Sequence, residues 1–470
     1  MSESDDALDD LISSTKAARR NSADALDELI KASGAAPRSA PDPAVDRVGQ
    51  RRSWVRALSF ALAALALSGV LADAVAASQL ISNAGPDSLG IVWPIGGACL
   101  LAVAFLQTRF IDRFARMNVL VTLCVVYGAA FVLAVALFAL HAPKSIPAGL
   151  AWLLADQMNF LFPLVVWTLA GDVFTAGQGV TVFPVMSRWL FIGQIAGLLI
   201  AVLFPVVFNL GPFAVNLLLL LPPIACFSVV FIVPRALRDA SVSKGHGREV
   251  SSTSVVRETV ALVRELPAFR WLLRVSFAVM IAGAMVEFSF FDVISERFTS
   301  ASDLQVVYAG TSLAGFVLCW VIQSFAATPM LNRLGVAKVL DILPVATVLA
   351  AVLLVGAIGG GIIPMAVVGL LLWRIPRWSV DASARQSAMA TVPDERRAAT
   401  SFLIDLSPFA LGLVVVAAPI GLSRLFGQGW IVPAIAAAFA LVSVVFARKV
   451  VSTWDDTQLS YRLKRRKRLG

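Results

Sequence analysis

Five carboxylates stand inside stretches that are otherwise apolar: Asp73, Asp156, Glu287, Asp292 and Asp405. Within one helical turn of Asp156 come Gln157 and Asn159, which makes a small polar cluster. An ionisable side chain in hydrocarbon is costly, and it normally faces a cavity where it can bind a cation, pass a proton or hold a polar solute. These seven residues are therefore the candidates for substrate binding or proton coupling. The alternative is structural, with the acids capping or bridging helices through Ser, Asn or backbone groups. Gln194, Asn216 and Gln323 fit that interhelical role. Other chemistry has little to build on. His141 and His246 are the only histidines, and Cys99, Cys124, Cys226 and Cys319 form no Cys-x-x-Cys pair. There is no phosphate-binding glycine loop and no Ser/His/Asp arrangement, so neither an enzyme, a metal centre nor a cofactor is expected.

The elements that must position these residues follow from composition. Of 470 residues, 58% are hydrophobic and 15% charged, and the mean hydropathy is +0.82. That excludes a soluble globular protein and predicts a polytopic, all-α membrane protein. Apolar runs lie near 54–81, 90–108, 117–141, 147–171, 187–209, 213–234, 270–295, 303–328, 338–360, 361–380, 398–421 and 428–447. This pattern predicts twelve transmembrane helices in two pseudo-symmetric six-helix halves. The expected organisation is a cytoplasmic tail over 1–52, an N-terminal half over 53–235, a connecting loop over 236–269, a C-terminal half over 270–448 and a basic tail over 449–470.

Charge sets the expected orientation. Arg109, Arg113 and Arg116 follow the second run, Arg188 follows the fourth, and Arg235, Arg238, Lys244, Arg248, Arg257 and Arg264 fill the central connection. The opposite loops offer only Lys144, Arg297 and Arg424. The positive-inside rule then puts both termini in the cytoplasm of a multi-pass protein of a bacterial inner membrane. The first 30 residues are polar and acidic, unlike a secretory leader. The net charge of +9 sits where insertion requires it, so anionic lipid rather than nucleic acid is the expected partner. In the central connection, Val256, Val260 and Val263 at helical spacing predict a short interfacial helix.

The halves repeat. Ser68-Gly69-Val70-Leu71-Ala72-Asp73 in the first run matches Ala282-Gly283-Ala284-Met285-Val286-Glu287 in the seventh, a small residue, Gly, an apolar triplet and an acid. Asp73 and Glu287 thereby occupy equivalent positions. Asp112-Arg113-Phe114-Ala115-Arg116 after the second run finds a counterpart in Asn332-Arg333-Leu334-Gly335-Val336-Ala337-Lys338 after the eighth. Internal repeats with a substrate site between them are a transporter architecture.

These features resemble the major facilitator superfamily. Its loop between spans 2 and 3 reads about Gly-x-x-x-Asp-Arg-x-Gly-Arg-Arg/Lys; Asp112, Arg113 and Arg116 sit at matching places, while Thr108 and Ala115 replace the two glycines. The resemblance implies a cytoplasmic gate formed by Asp112, Arg113, Arg116, Arg188, Arg333 and Arg397, and a cavity lined by spans 1, 4, 7 and 10. Glu287-Phe288-Ser289-Phe290-Phe291-Asp292, Ser302-Asp303-Leu304, Asn332-Arg333-Leu334-Gly335, Gln178-Gly179-Val180-Thr181-Val182-Phe183-Pro184 and Thr391-Val392-Pro393-Asp394-Glu395-Arg396-Arg397 look like the bacterial branch similar to ATP:ADP translocases. Where those carriers have Glu-Ala-Lys-Arg this chain has Gln178-Gly179-Val180-Thr181, and Phe291 stands where many have a Lys. Binding several phosphates in a dry cavity needs cations, and mid-span positions offer almost none. Arg374 and Arg377, near the inner end of the tenth run, are either topology signals or an anion site.

The first tail has its own repeat. Asp6-Ala7-Leu8-Asp9-Asp10-Leu11-Ile12 returns as Asp24-Ala25-Leu26-Asp27-Glu28-Leu29-Ile30, on the same face if helical. Leu8, Leu11, Ile12, Leu26, Leu29 and Ile30 have the form of a docking helix for a cytoplasmic protein, or belong to a solvated tail. The expected function is a secondary active transporter working as a monomer by alternating access. It would be proton- or ion-coupled or an exchanger, and would move a small polar or anionic solute. The alternative is a facilitator-fold scaffold or receptor that recruits a partner through its N-terminal tail.

Overall fold

The computed structural model describes residues 43–110, 116–174, 176–208, 216–238, 266–389 and 402–469, together with Val263, Val392 and Thr400. Two units are distinguished, residues 1–54 and residues 55–470. In the first, the described part is the opening of a helix that begins at Pro43.

Among the described residues the chain is helical and has no strand. The main helices are α1 (Pro43–Ala84), α2 (Leu89–Phe110), α3 (Arg116–Ala139), α4 (Ser145–Val173), α5 (Ala176–Phe208) and α6 (Leu221–Ala236). After the central connection come α7 (Pro267–Arg297), α8 (Ala301–Phe325), α9 (Ile342–Gly360), α10 (Ile363–Pro376), α11 (Ser407–Val415) and α12 (Ile431–Leu469). Ten described helical stretches are long and apolar enough to cross a membrane. The second and tenth predicted runs correspond to α2, with the shorter apolar stretch Pro86–Ala102, and to α10 with its continuation.

Burial sorts the helices into centre and periphery. Within its most apolar window α7 is 83% buried and α1 72%, against 22% for the corresponding stretch of α5 and 33% for α3 and α12. The acid-bearing pair α1 and α7 therefore forms the middle of the bundle. Outer helices turn Val126, Leu203, Leu349 and Val445 outward, an apolar exterior suited to lipid. Among the described residues, α8 packs against α5 and α11 against α2 where the two halves meet. Gln305 donates to the Ala201 carbonyl at 2.7 Å in the first. In the second, Gly97 lies so close to the Ala410 carbonyl that no side chain would fit.

Local signals set the boundaries. The Ser300 hydroxyl accepts from the Asp303 amide at 3.1 Å and donates to its carboxylate at 2.6 Å, which caps α8. Gly361, at φ 62°, closes α9 in the left-handed conformation that glycine takes without strain. Pro376 removes an amide donor from α10, and the next turn, Arg377–Asp381, widens to a π-helix before Ala382–Met389 resumes the α form. A second π-turn, Phe402–Leu406, precedes α11.

Several boundaries depart from expectation. The tenth run extends past 380 to Met389, because the π-turn lets the helix continue beyond its proline. The last helix runs on through the basic tail to Leu469. Of the predicted interfacial helix only Val263 is described, and it is buried in one cluster with Phe269, Val450 and Trp454. There the Ala268 amide donates to the Thr457 hydroxyl at 3.1 Å, fastening the start of α7 to α12.

Candidate functional site

A cavity of about 150 Å³ lies between the two halves, lined from α1, α2, α4 and α5 on one side and from α7, α8, α10 and α11 on the other. Its walls carry three acids, Asp73, Asp156 and Glu287, and two cations, Arg374 and Arg377. The glycines of the sequence repeat explain how α1 and α7 reach it. A Cβ on Gly69 would strike Asn159 of α4, and one on Gly283 would strike Trp373 of α10. Gly69 and Gly283, Asp73 and Glu287, and Asn159 and Trp373 are pairs separated by one and the same number of positions. Each half thus seats its acid-bearing helix by the same contact.

Hydrogen bonds join the acids across the boundary. Tyr308 of α8 donates to Asp73 of α1 at 2.7 Å. Arg374 donates from Nη2 to the Tyr308 hydroxyl at 3.1 Å, from Nε to Glu287 at 3.0 Å and from Nη1 to Ser312 at 2.8 Å. The Trp373 indole adds a donor to Glu287 at 3.3 Å. Asp73 and Glu287 are thus two ends of one chain, and any change in the charge of either is felt by the other through Tyr308 and Arg374.

Aromatic contacts between the halves line the cavity along its length. Trp152 of α4 meets Phe291 of α7 edge to face, with centroids 5.8 Å apart. Two turns further along α4, Phe160 packs on Phe409 at 4.6 Å. Beyond Phe291, at the end of the bundle holding Pro86–Ser88, Arg424 bonds both Asp87 and Asp292, the latter at 2.7 Å. Asp87 belongs to the N-terminal half and the other two to the C-terminal half, so this triad ties the halves together at that end.

The predicted residues separate into groups. Asp73, Asp156, Asn159 and Glu287 share the cavity. Gln157 does not: it is buried and accepts from Tyr127 of α3 at 2.5 Å. Asp292 leaves the predicted set for the Arg424 triad. Asp405 also lies elsewhere, where Arg385 reaches Asp381 at 2.6 Å and Asp405 at 3.2 Å and donates to Ser276 at 2.5 Å. Of the predicted gate, Arg116 pairs with Asp172 of α4, and Arg188 and Arg333 are exposed. Asp112, Arg113 and Arg397 lie outside the described residues, as do Leu8, Leu11, Ile12, Leu26, Leu29 and Ile30 of the tail.

The expectation that mid-span positions offer almost no cations is corrected, because Arg374 and Arg377 point inward to the cavity. Tyr308, Ser312 and Trp373 were not singled out from sequence. One signal was available: both arginines adjoin a tryptophan, in Trp373-Arg374 and Arg377-Trp378, and stand three apart on one helical face.

No family model matches the chain, and no curated protein matches it in sequence. Solved structures do. The nucleoside transporter NupG is 16% identical with a TM-score of 0.62, covering 84% of this chain and 99% of its own. A POT family peptide transporter in an auto-inhibited form gives 14% and 0.61, over 84% and 96%. A bacterial homologue of the iron transporter ferroportin, inward-facing, gives 14% and 0.60, over 85% and 98%. At such identities the likeness establishes the fold: this chain has the all-helical membrane fold of facilitator-type transporters.

Proposed function

We propose that the protein is a secondary transporter that moves a small polar solute across a bacterial inner membrane by alternating access. The observation that carries this is the cavity itself. Its charged walls come from both halves, and its acids are joined across the boundary through Tyr308 and Arg374. A rocking motion of one half against the other necessarily remakes that link, so solute binding and movement are coupled.

The charge of the loops puts the Asp87 end away from the cytoplasm. In this arrangement the Arg424 triad and the Trp152–Phe291 contact shut the outer side, and solute leaves towards the cytoplasm past Phe160 and Phe409. Asp73 and Glu287, at equivalent positions of the repeat, are the pair we assign to ion or proton coupling. The translocase-like motifs leave a nucleotide carrier as the finer alternative. Two arginines beside three acids are too few cations for a polyphosphate, so the solute class we favour lacks phosphate chains.

Counterflow in proteoliposomes tests the proposal, with labelled pools of amino acids, peptides, nucleosides, nucleotides and organic acids. Uptake by the native protein that is lost in the Asp73→Asn, Glu287→Gln double variant supports it. No uptake from any pool by folded protein refutes it.

A further inference from the structure

We infer that the cavity takes a zwitterion, a solute of the amino-acid or small-peptide class whose ammonium group meets Asp156 and whose carboxylate meets Arg377. This rests on the transporter reading and narrows its substrate. Three of the five charges in the cavity are partnered within it. Asp73 accepts from Tyr308. Glu287 is paired with Arg374, whose remaining donors go to Ser312 and Tyr308. That network satisfies itself.

Two groups remain. Among the described residues Asp156 has neither an ion pair nor a hydrogen bond, and Arg377 has no carboxylate within ion-pair distance, its acid neighbours Glu287 and Asp381 being paired with Arg374 and Arg385. The Arg377 guanidinium lies instead over the rings of Phe409, Trp373 and Trp378, at 4.8, 5.1 and 5.2 Å. Stacking on ring faces orients a guanidinium but leaves in-plane N–H donors for a planar anion. Asp156 and Arg377 belong to opposite halves and line the same cavity without forming an ion pair.

A cationic solute would leave Arg377 without a carboxylate in contact, and an anionic one would leave Asp156 to be neutralised by a proton, so either forgoes one charged contact. A zwitterion satisfies both. Its body would lie along Phe160, one turn beyond Asp156, and Phe409, the ring beneath Arg377. Because its ends attach to different halves, the bound solute bridges the moving boundary and draws the halves together.

The full-length protein, purified in detergent, is titrated with three charge series while thermal unfolding and tryptophan fluorescence are followed. The series are phenylalanine with its methyl ester and N-acetyl derivative; 6-aminohexanoate with hexylamine and hexanoate; and alanyl-phenylalanine with its two singly blocked forms. In at least one series the zwitterion binds about tenfold or more tighter than both singly charged analogues, a difference of about 1.4 kcal/mol. Asp156→Asn removes the preference for the ammonium group. Arg377→Gln removes that for the carboxylate, and Arg377→Lys, which keeps the charge but loses the stacked planar fork, retains only part of it. Equal binding of singly charged analogues throughout overturns the inference, as do unchanged preferences in both variants, or no binding by protein that melts cooperatively. Counterflow of the tightest binder separates the two claims. Charge-selective binding without counterflow keeps the site and defeats transport, whereas counterflow of singly charged analogues at the zwitterion's rate keeps transport and defeats the site.

Discussion

The hydroxyl of Tyr308 reaches Asp73 over 2.7 Å across the boundary between the halves, while Arg374 donates to the same oxygen from 3.1 Å. Tyr308 is thus the shared member between the acid of the first half and the arginine–glutamate pair of the second. In Tyr308→Phe the ring and its packing on Phe291 stay, and only the link is lost. A hydrogen bond to a charged group contributes about 1.5–3 kcal/mol. We expect gradient-driven accumulation to fall by roughly ten- to a hundredfold, with solute exchange at equal concentrations much less affected. The ratio of the two rates in proteoliposomes measures this; a variant that loses both alike would give Tyr308 a purely architectural role.

Arg385 differs, because one of its two acid partners, Asp381, is buried. Its side chain is 7% exposed and that of Asp381 4%. Arg385→Gln strands Asp381 in a low-dielectric interior, which costs about 3–5 kcal/mol. Replacing both, as in Asp381→Leu with Arg385→Met, removes the stranded charge and should recover most of that loss. Unfolding in detergent of the two variants and the native protein distinguishes them. Equal destabilisation by single and double variants would show that the pair's shape matters, not its charge.

At the other end, Arg424 and Asp87 are 44% and 54% exposed, so their pairing is worth about 1 kcal/mol or less. Asp292 is 8% exposed and depends on Arg424 alone among the described ion pairs. Asp87→Asn should leave stability nearly unchanged yet loosen the contact between halves; Arg424→Gln should loosen it too and, by stranding the buried Asp292, also lower stability. Labelling of a cavity cysteine, Val70→Cys in a background lacking the native cysteines, by a membrane-impermeant thiol reagent from the Asp87 side reports the opening. Faster labelling in both variants is the expected result, and unchanged labelling would deny the triad a gating role.

The helices and the acids of α1 and α7 were legible because hydropathy and the Gly-to-acid repeat are properties of contiguous residues. Other site residues were not, for reasons that differ. Arg374 and Arg377 read either as topology signals, since a basic residue near a helix end has that role in most membrane proteins, or as an anion site, and sequence does not choose between them. Only the π-turn after Pro376 and the glutamate on a separate helix show that they turn inward. Tyr308 lies in an apolar run and resembles core. Asp292 and Asp405 resemble cavity acids until a guanidinium from elsewhere in the chain is seen to reach them. Gln157 could have been separated from Asp156 on paper: neighbours in a helix point about 100° apart, whereas Asp156, Asn159 and Phe160 share a face.

That shared geometry yields a last prediction about the two repeat glycines, which look equivalent in sequence and are not equivalent in tolerance. At Gly283 a methyl group would overlap the six-membered ring of Trp373, a side chain that is 1% exposed and has no space to retreat into. At Gly69 the obstacle is the amide of Asn159, the polar end of a side chain that borders the cavity and can swing into it. Overpacking a rigid core costs about 1–3 kcal/mol, and Gly283→Ala should lie at the upper end of that range. It would also displace the Trp373 donor from Glu287 and so disturb the arginine chain. Gly69→Ala should cost well under half as much and act mainly on solute affinity, through Asn159. Paired unfolding and binding measurements decide it. If Gly69→Ala proved as destabilising as Gly283→Ala, Asn159 would be a fixed strut of the bundle and no part of an adaptable cavity wall.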